Sequence, residues 1–326
     1  MIEVRSPQKP DLVLGSFQEF SESEVAATAA TARSVQREWS RDPVMRSIAL
    51  RNCVDAMKRN ESDLVSSAIV ETGKPFTEAK GEFNRTIAIL EYYSSAVLDP
   101  VGNVLPSTTP NLLFTTRSPH GIAGLITPWN FPIAIPIWKA APALAGGNCV
   151  LLKPSEFATK TAMLLGSILN EVLPKHVFNV VSGSGQTGTA LIKNADVVSF
   201  TGSVATGNKV VAQAAQMRVP VQAEMGGNSP AIILDDANMN EVVSQLMIGA
   251  FSYSGQKCTA TRRIIVLGSD KRKREVIDAL EAGMNSLVVG DPTEKSTFVS
   301  PLINRSAQAS FFNVIEQCVS AAGKLV

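Results

Sequence analysis

Beyond Gly121 the chain alternates between short apolar runs and longer amphipathic segments, a rhythm that few architectures accept. Residues 122–126, 149–152, 177–181 and 197–200 read as strands, each a brief run rich in aliphatic residues. Helical spacing predicts helices over 135–145, 160–172, 187–193 and 204–215. Strands separated by helices pair in parallel, and a parallel sheet needs cover on both faces. The expected fold class is therefore α/β, with ligands near the carboxyl ends of the strands. After Gly226 a second α/β unit begins, with a strand near 262–267 and a helix near 271–287. A length of 326 residues leaves room for about two domains, which we place at 1–225 and 226–326.

Upstream, residues 21–96 read as long amphipathic helices, with Ser23 a candidate cap for the first. A second stretch, 46–71, is stopped by Thr72-Gly73-Lys74-Pro75, and a further helix covers 78–96. Val104-Leu105 and 112–116 flank a turn-rich link and predict a hairpin.

Three segments carry residues chosen for chemistry. Cys258 sits in Gly255-Gln256-Lys257-Cys258-Thr259, among small and polar neighbours that leave a thiol open to substrate. A lone cysteine is more often packing, and Cys53, Cys149 and Cys318 fit that description. Glu224 ends a short extended run and precedes a turn-forming stretch, 225–230. A thiolate attacks carbonyl carbon, and a carboxylate activates the water that later removes the acyl group. Equally, Glu224 alone fits a surface or salt-bridged carboxylate. Asn130, in Pro128-Trp129-Asn130-Phe131-Pro132, is either a structural amide bonding its own turn or an N–H donor to an oxyanion. The two histidines, His120 and His176, and the absence of Cys-x-x-Cys argue against a zinc site and a cysteine–histidine pair.

Composition excludes several classes. A net charge of +1 gives no electrostatic reason for nucleic acid or an anionic membrane. The apolar region 133–152 is interrupted by Pro136, Lys139, Pro142 and Asn148, which a membrane span would not carry. The first ten residues lack a basic start and apolar run, so no secretory signal is expected. Four cysteines without paired spacing suggest reduced thiols in a cytoplasmic setting.

Two turns suggest a dinucleotide. Gly183-Ser184-Gly185-Gln186-Thr187-Gly188 matches G-x-G-x-x-G but follows a later strand and lacks the acidic residue about twenty positions on. We read it as a tight turn at the adenosine end. Gly202-Ser203 opens a helix and is either a plain serine cap or a phosphate site.

Five segments in order resemble the aldehyde dehydrogenase family: Pro128–Pro132, Lys153-Pro154-Ser155-Glu156, Phe200-Thr201-Gly202-Ser203, Glu224-Met225-Gly226-Gly227 and Gly255-Gln256-Lys257-Cys258. The resemblance runs over almost the whole chain. It implies a Rossmann-type cofactor domain, an incomplete catalytic domain and oxidation of an aldehyde to an acid with NAD or NADP. Cys258 would form the thioester, Asn130 and the Cys258 backbone N–H would hold the oxyanion, and Glu224 would activate water. Residues implied to line the dinucleotide are Ile126, Thr127, Pro128, Trp129, Lys153, Glu156, Gly183, Gly202, Ser203, Gly207 and Met225. A carboxylate at Glu156, assigned to the adenine-side ribose, favours NAD over NADP by repelling a 2′-phosphate. The hairpin is expected to join subunits in a dimer or tetramer of the full-length form. Local wording over 125–152 and 256–263 resembles bacterial semialdehyde dehydrogenases, including those for α-ketoglutaric semialdehyde. Members are well over a hundred residues longer, so C-terminal truncation is expected. Two alternatives stand: a chain that only binds dinucleotide or a partner, and acyl transfer to coenzyme A.

Overall fold

The two central runs of the alternating region, 122–126 and 149–152, are wholly apolar, and the structure buries them on both faces. The computed structural model describes residues 1–321, 323 and 324; Leu325 and Val326, which close the sequence, lie outside the described residues. Two short strands, β1 (Ile2–Arg5) and β2 (Val13–Phe17), open the chain and pair with each other. Helix α1 (Glu22–Arg41) follows. It is capped by Ser21, not Ser23: Ser21 Oγ accepts from Glu24 N at 3.3 Å, and the Glu24 carboxylate accepts from Ser21 N at 2.8 Å. The reciprocal pair satisfies two orphan donors, which Ser23 could not do with Ala26 three residues on.

The next helical stretch is two helices, α2 (Pro43–Arg59) and α3 (Glu61–Thr72), separated at Asn60. Asp42 caps α2 through Val44 N and Met45 N, and Gly73 leaves α3 at φ +68°. Helix α4 (Phe76–Ala96) leads to the hairpin, β3 (Val104–Leu105) against β4 (Leu113–Phe114).

Then come β5 (Ile122–Ile126), α5 (Ala134–Ala145), β6 (Cys149–Lys153), α6 (Thr159–Asn170), β7 (Phe178–Val180), α7 (Gly185–Asn194), β8 (Val197–Gly202), α8 (Val204–Gln216) and β9 (Val221–Met225). The five strands form one parallel sheet in the order β7-β6-β5-β8-β9. Every residue of β5 and β6 is buried, as sheet centre requires. Helices α1 and α7 pack together against β5 and β6; α5 packs against the same two strands, and α2 packs on α5 and α6. This unit comprises Met1–Val4, Gly15–Ser67 and Lys80–Met225.

The second unit comprises Arg5–Leu14, Ala68–Ala79 and Gly226–Val326. It contains β10 (Ser229–Ile233), α9 (Met239–Leu246), β11 (Thr261–Val266), α10 (Asp270–Asn285) and α11 (Arg305–Ser320). β10 pairs with β11 in parallel, and Ile233, Leu246 and Val276 make a small core with α9 and α10. Strand β10 occupies part of the stretch that the sequence reads as turn. Helix α11 buries none of its residues, so Cys318 is exposed and not packed as its amphipathic surroundings suggest.

Candidate active site

Parallel strands end on one edge, so β5, β6, β8 and β9 deliver their last residues together. Ile126 pairs with Lys153 and Phe200, and Gly202 with Met225. Beyond β5, Thr127 N donates to Lys153 O at 3.1 Å. The Thr127 hydroxyl is buried and has no hydrogen-bond partner among the described residues. Pro128, Trp129 and Asn130 continue the edge, half-buried. Lys153 is not the solvated turn residue that a lysine usually makes: it is 5% exposed. Its Nζ donates to Pro154 O at 2.8 Å and lies 3.6 Å from Glu156 Oε1. Burial pulls this lysine below its ordinary pKa, against the opposing charges of Glu156 and Glu19. Ser155 caps the short 3₁₀ turn Glu156–Ala158, which leaves the Glu156 carboxylate 40% exposed.

Ser203 caps α8 by accepting from Thr206 N at 3.2 Å. A Cβ at Gly207 would meet the end of the Met225 side chain at 2.6 Å, so the glycine leaves room for that thioether against α8. Gly183 lies against Thr187 at the start of α7. Glu19, which sequence reading missed, accepts from Ser184 N at 2.8 Å, and its bonds to Ser184 hold the carboxyl below its usual range.

Glu224 sits on the exposed side of β9, two residues from Gln222 and on the same face. Register sets Gln222 beside Ser199 and Glu224 beside Thr201. Gln222 Nε2 donates to Glu224 Oε1 at 2.8 Å. Ser199 Oγ donates to Gln222 Oε1 at 2.5 Å. Lys139 Nζ, reaching across from α5, donates to Ser199 Oγ at 2.7 Å, Phe200 O at 3.2 Å and Gln222 Oε1 at 3.4 Å. Burial lowers the Lys139 pKa to about 8, and the nearby Glu224 charge opposes that shift. The sequence marks Lys139 only as a charge within an apolar stretch and does not mark Ser199 or Gln222, whose adjacency depends on the register of β8 against β9.

In the second unit a π-helical turn, Met247–Phe251, runs into a 3₁₀ turn, Ser252–Gly255. Tyr253, Ser254 and Gly255 have φ of +53°, +56° and +67°. The left-handed region costs a non-glycine residue about 1 kcal/mol or more, so the surroundings must impose it. Tyr253 is fully buried, donates to Thr72 O at 3.2 Å and stacks under Lys74, whose Nζ is 4.9 Å from the ring centroid. Gln256 Oε1 accepts from Ile303 N at 3.0 Å. Lys257 pairs with Glu78 at 2.8 Å and donates to Ser252 Oγ at 2.7 Å. Pinned on both sides, the turn presents Cys258 to solvent, whereas Cys53 and Cys149 are buried. Asn130 and Glu224 thus belong to the first unit and Cys258 to the second.

Fold and site define an α/β protein with a Rossmann-type sheet whose carboxyl edge is glycine-lined, and a separate strand-helix unit that carries an exposed thiol. The aldehyde dehydrogenase family model matches residues 1–326, and the chain belongs to that family. It is 35% identical to α-ketoglutaric semialdehyde dehydrogenase of Bacillus subtilis over 97% of this chain and 66% of that protein. It is 37% identical to α-ketoglutarate semialdehyde dehydrogenase of Haloferax volcanii, over 99% and 68%. The crystal structure of an aldehyde dehydrogenase from Brucella melitensis biovar abortus superposes with a TM-score of 0.95 at 29% identity, covering 100% of this chain and 68% of that one. The chain spans about two thirds of the length of these relatives. Among the described residues no helix is long and apolar enough to cross a membrane.

Proposed function

We propose that the protein oxidises an aldehyde to a carboxylic acid with NAD(P), through a thioester on Cys258. One observation carries the reading: of the cysteines, Cys258 alone combines exposure with a strained, pinned turn in a family motif. Its thiolate adds to the carbonyl carbon, and the Asn130 amide with the Cys258 backbone N–H stabilises the oxyanion. NAD(P), when bound, supplies the acceptor for the hydride that leaves that carbon. Glu224 takes a proton from the attacking water, and the products are the acid and the free thiol.

The first unit suits a dinucleotide. The buried, unpartnered Thr127 hydroxyl is what a ligand-facing group presents at a strand end, and the capped start of α8 beside Gly202 suits a pyrophosphate. Ile126, Pro128, Trp129, Gly183, Gly207 and Met225 line the same edge, with Lys153 and Glu156 toward a ribose. Glu156 favours NAD over NADP. Similarity to two α-ketoglutarate semialdehyde dehydrogenases makes a carboxylated semialdehyde the first substrate to try. A cytoplasmic homo-oligomer, joined partly through the hairpin, completes the proposal. Neither acyl transfer to coenzyme A nor a chain that only binds dinucleotide has an observation in its favour.

The test is peptide mapping after rapid quenching with NAD and a semialdehyde. Glu224→Gln should give about one equivalent of NADH and retain the acyl group on Cys258. Cys258→Ala should give neither. Normal steady-state turnover by Glu224→Gln, or acylation elsewhere, would sink the assignment.

A further inference from the structure

The polar cluster behind Glu224, buried at Lys139, half-buried at Ser199 and exposed at Gln222, belongs to none of the family motifs. Lys139, 9% exposed, fills its three ammonium donors with three acceptors: Ser199 Oγ, Phe200 O and Gln222 Oε1. With its oxygen engaged by Lys139, Ser199 has one hydrogen left, and that goes to the same Gln222 oxygen. The two bonds fix which way the Gln222 amide faces. Its oxygen points to the lysine and its NH₂ group to Glu224 Oε1, 2.8 Å away.

We propose that Gln222 is a positioning residue for deacylation: its amide orients the Glu224 carboxylate, and Ser199 with protonated Lys139 orients the amide. The proposal rests on Glu224 being the base.

The lysine's charge decides the arrangement. An ammonium only donates; a neutral amine also accepts. Once Lys139 loses its proton, the Ser199 hydroxyl is free to turn toward the amine. Gln222 then loses a donor to its oxygen and gains freedom to flip, and a flipped amide sets oxygen against carboxylate. Lys139 titrates near pH 8, where this exchange matters. Of the charged groups near it, Glu224 on β9 is the one whose charge acts on Lys139. Arg46 from α2 is engaged with Ala145 O, and Glu82 from α4 with Ile133 N and Ala134 N, at the two ends of α5. Lys153 on β6 is turned to Pro154 O and Glu156.

The experiment follows acetyl-Cys258, formed from p-nitrophenyl acetate with loss of p-nitrophenolate, by peptide mass as water removes it as acetate. Deacylation is measured from pH 6.5 to 9.5 in the wild type, Glu224→Gln, Gln222→Leu and Ser199→Ala, with Cys258→Ala as the site control. Wild-type deacylation should fall at least fivefold through an alkaline limb near pH 8, opposite to the rise that hydroxide attack produces. Gln222→Leu should be about tenfold slower at pH 7 and lack that limb, and Ser199→Ala, which changes little volume, should lose the limb as well. If Gln222→Leu and Ser199→Ala retain the wild-type rate and limb while Glu224→Gln is slow, Gln222 does not position the base. If Glu224→Gln deacylates normally, or Cys258 does not acylate, the underlying assignment falls and this proposal with it.

Discussion

Cys53 and Cys149 are fully buried, and burial pushes each thiol up to about 12 from an ordinary value near 9. The thiolate is the reactive form, so both should be silent toward a disulfide reagent at pH 8. We expect two thiols, Cys258 and Cys318, to react natively, and four after unfolding; four native equivalents would show that the buried pair is accessible. The same displacement ties stability to pH. A folded-state value above the unfolded one gives stability that is complete below about pH 9 and lost toward 12, worth about 4 kcal/mol per thiol at most. Lys139 works in the opposite sense, since its folded value of about 8 lies below the unfolded 10.5 and its contribution rises with pH between them. Each group changes stability by about 1.4 kcal/mol per pH unit, so above pH 9 two thiols outweigh one lysine. Urea midpoints should hold or rise slightly from pH 8 to 9 and then fall. At this scale the sequence was informative about Cys258, because its neighbours are small and polar. It was misleading about Cys318, because an amphipathic helix announces a buried face without guaranteeing one.

Helix α5 begins at Ala134 with no side-chain cap of its own. Glu82, buried in α4, supplies one from a distance: its Oε1 accepts from both Ile133 N and Ala134 N at 2.8 Å. A carboxylate there also meets the positive end of the helix dipole. Glu82→Leu leaves two buried N–H groups unsatisfied and should cost about 2–4 kcal/mol; Glu82→Gln, keeping one acceptor, should cost less than half as much. Both are read as lower urea midpoints with unchanged slope, and an unchanged midpoint for Glu82→Leu would mean that the two N–H groups find other partners. Long-range caps of this kind leave no local trace, whereas Ser21 with Glu24 three residues on does. The break at Asn60 was hidden by apolar residues that stay in helical phase across it. Strand β10 was hidden by Pro230 and the glycines before it, since proline donates no ladder bond and is read as turn. The strands β5 and β6 were legible because a strand buried on both faces is a nearly continuous apolar run, and β8 because its buried residues Val198 and Phe200 alternate with less buried ones.

Parallel α/β architecture follows from alternation, but strand order does not: β5 lies between β6 and β8 only because the chain, after adding β6 and β7 on one side, returns to the other. The glycine-lined edge could therefore be assigned from motifs, while the Lys139–Ser199–Gln222–Glu224 cluster needed the register of β8 against β9. The two units differ in how well they bury their sheets. In the first, Ile122, Leu125, Val150, Leu151 and Leu152 are all nearly inaccessible. In the second, β10 and β11 form a two-stranded pair among the described residues, and Ile232, Ile264, Ile265 and Leu267 are 61%, 37%, 43% and 50% exposed. A parallel pair with one small core gains little from burial, since each side chain left in water forgoes roughly 1.5–3 kcal/mol. Local opening should track that difference. Native-state hydrogen exchange is therefore expected to protect the amides of Val150 and Leu151 roughly a hundredfold or more over those of Ile232 and Ile265. Equal protection in the two sheets would require a single cooperative unfolding unit, and would overturn the inference that burial sets the stability of each unit separately.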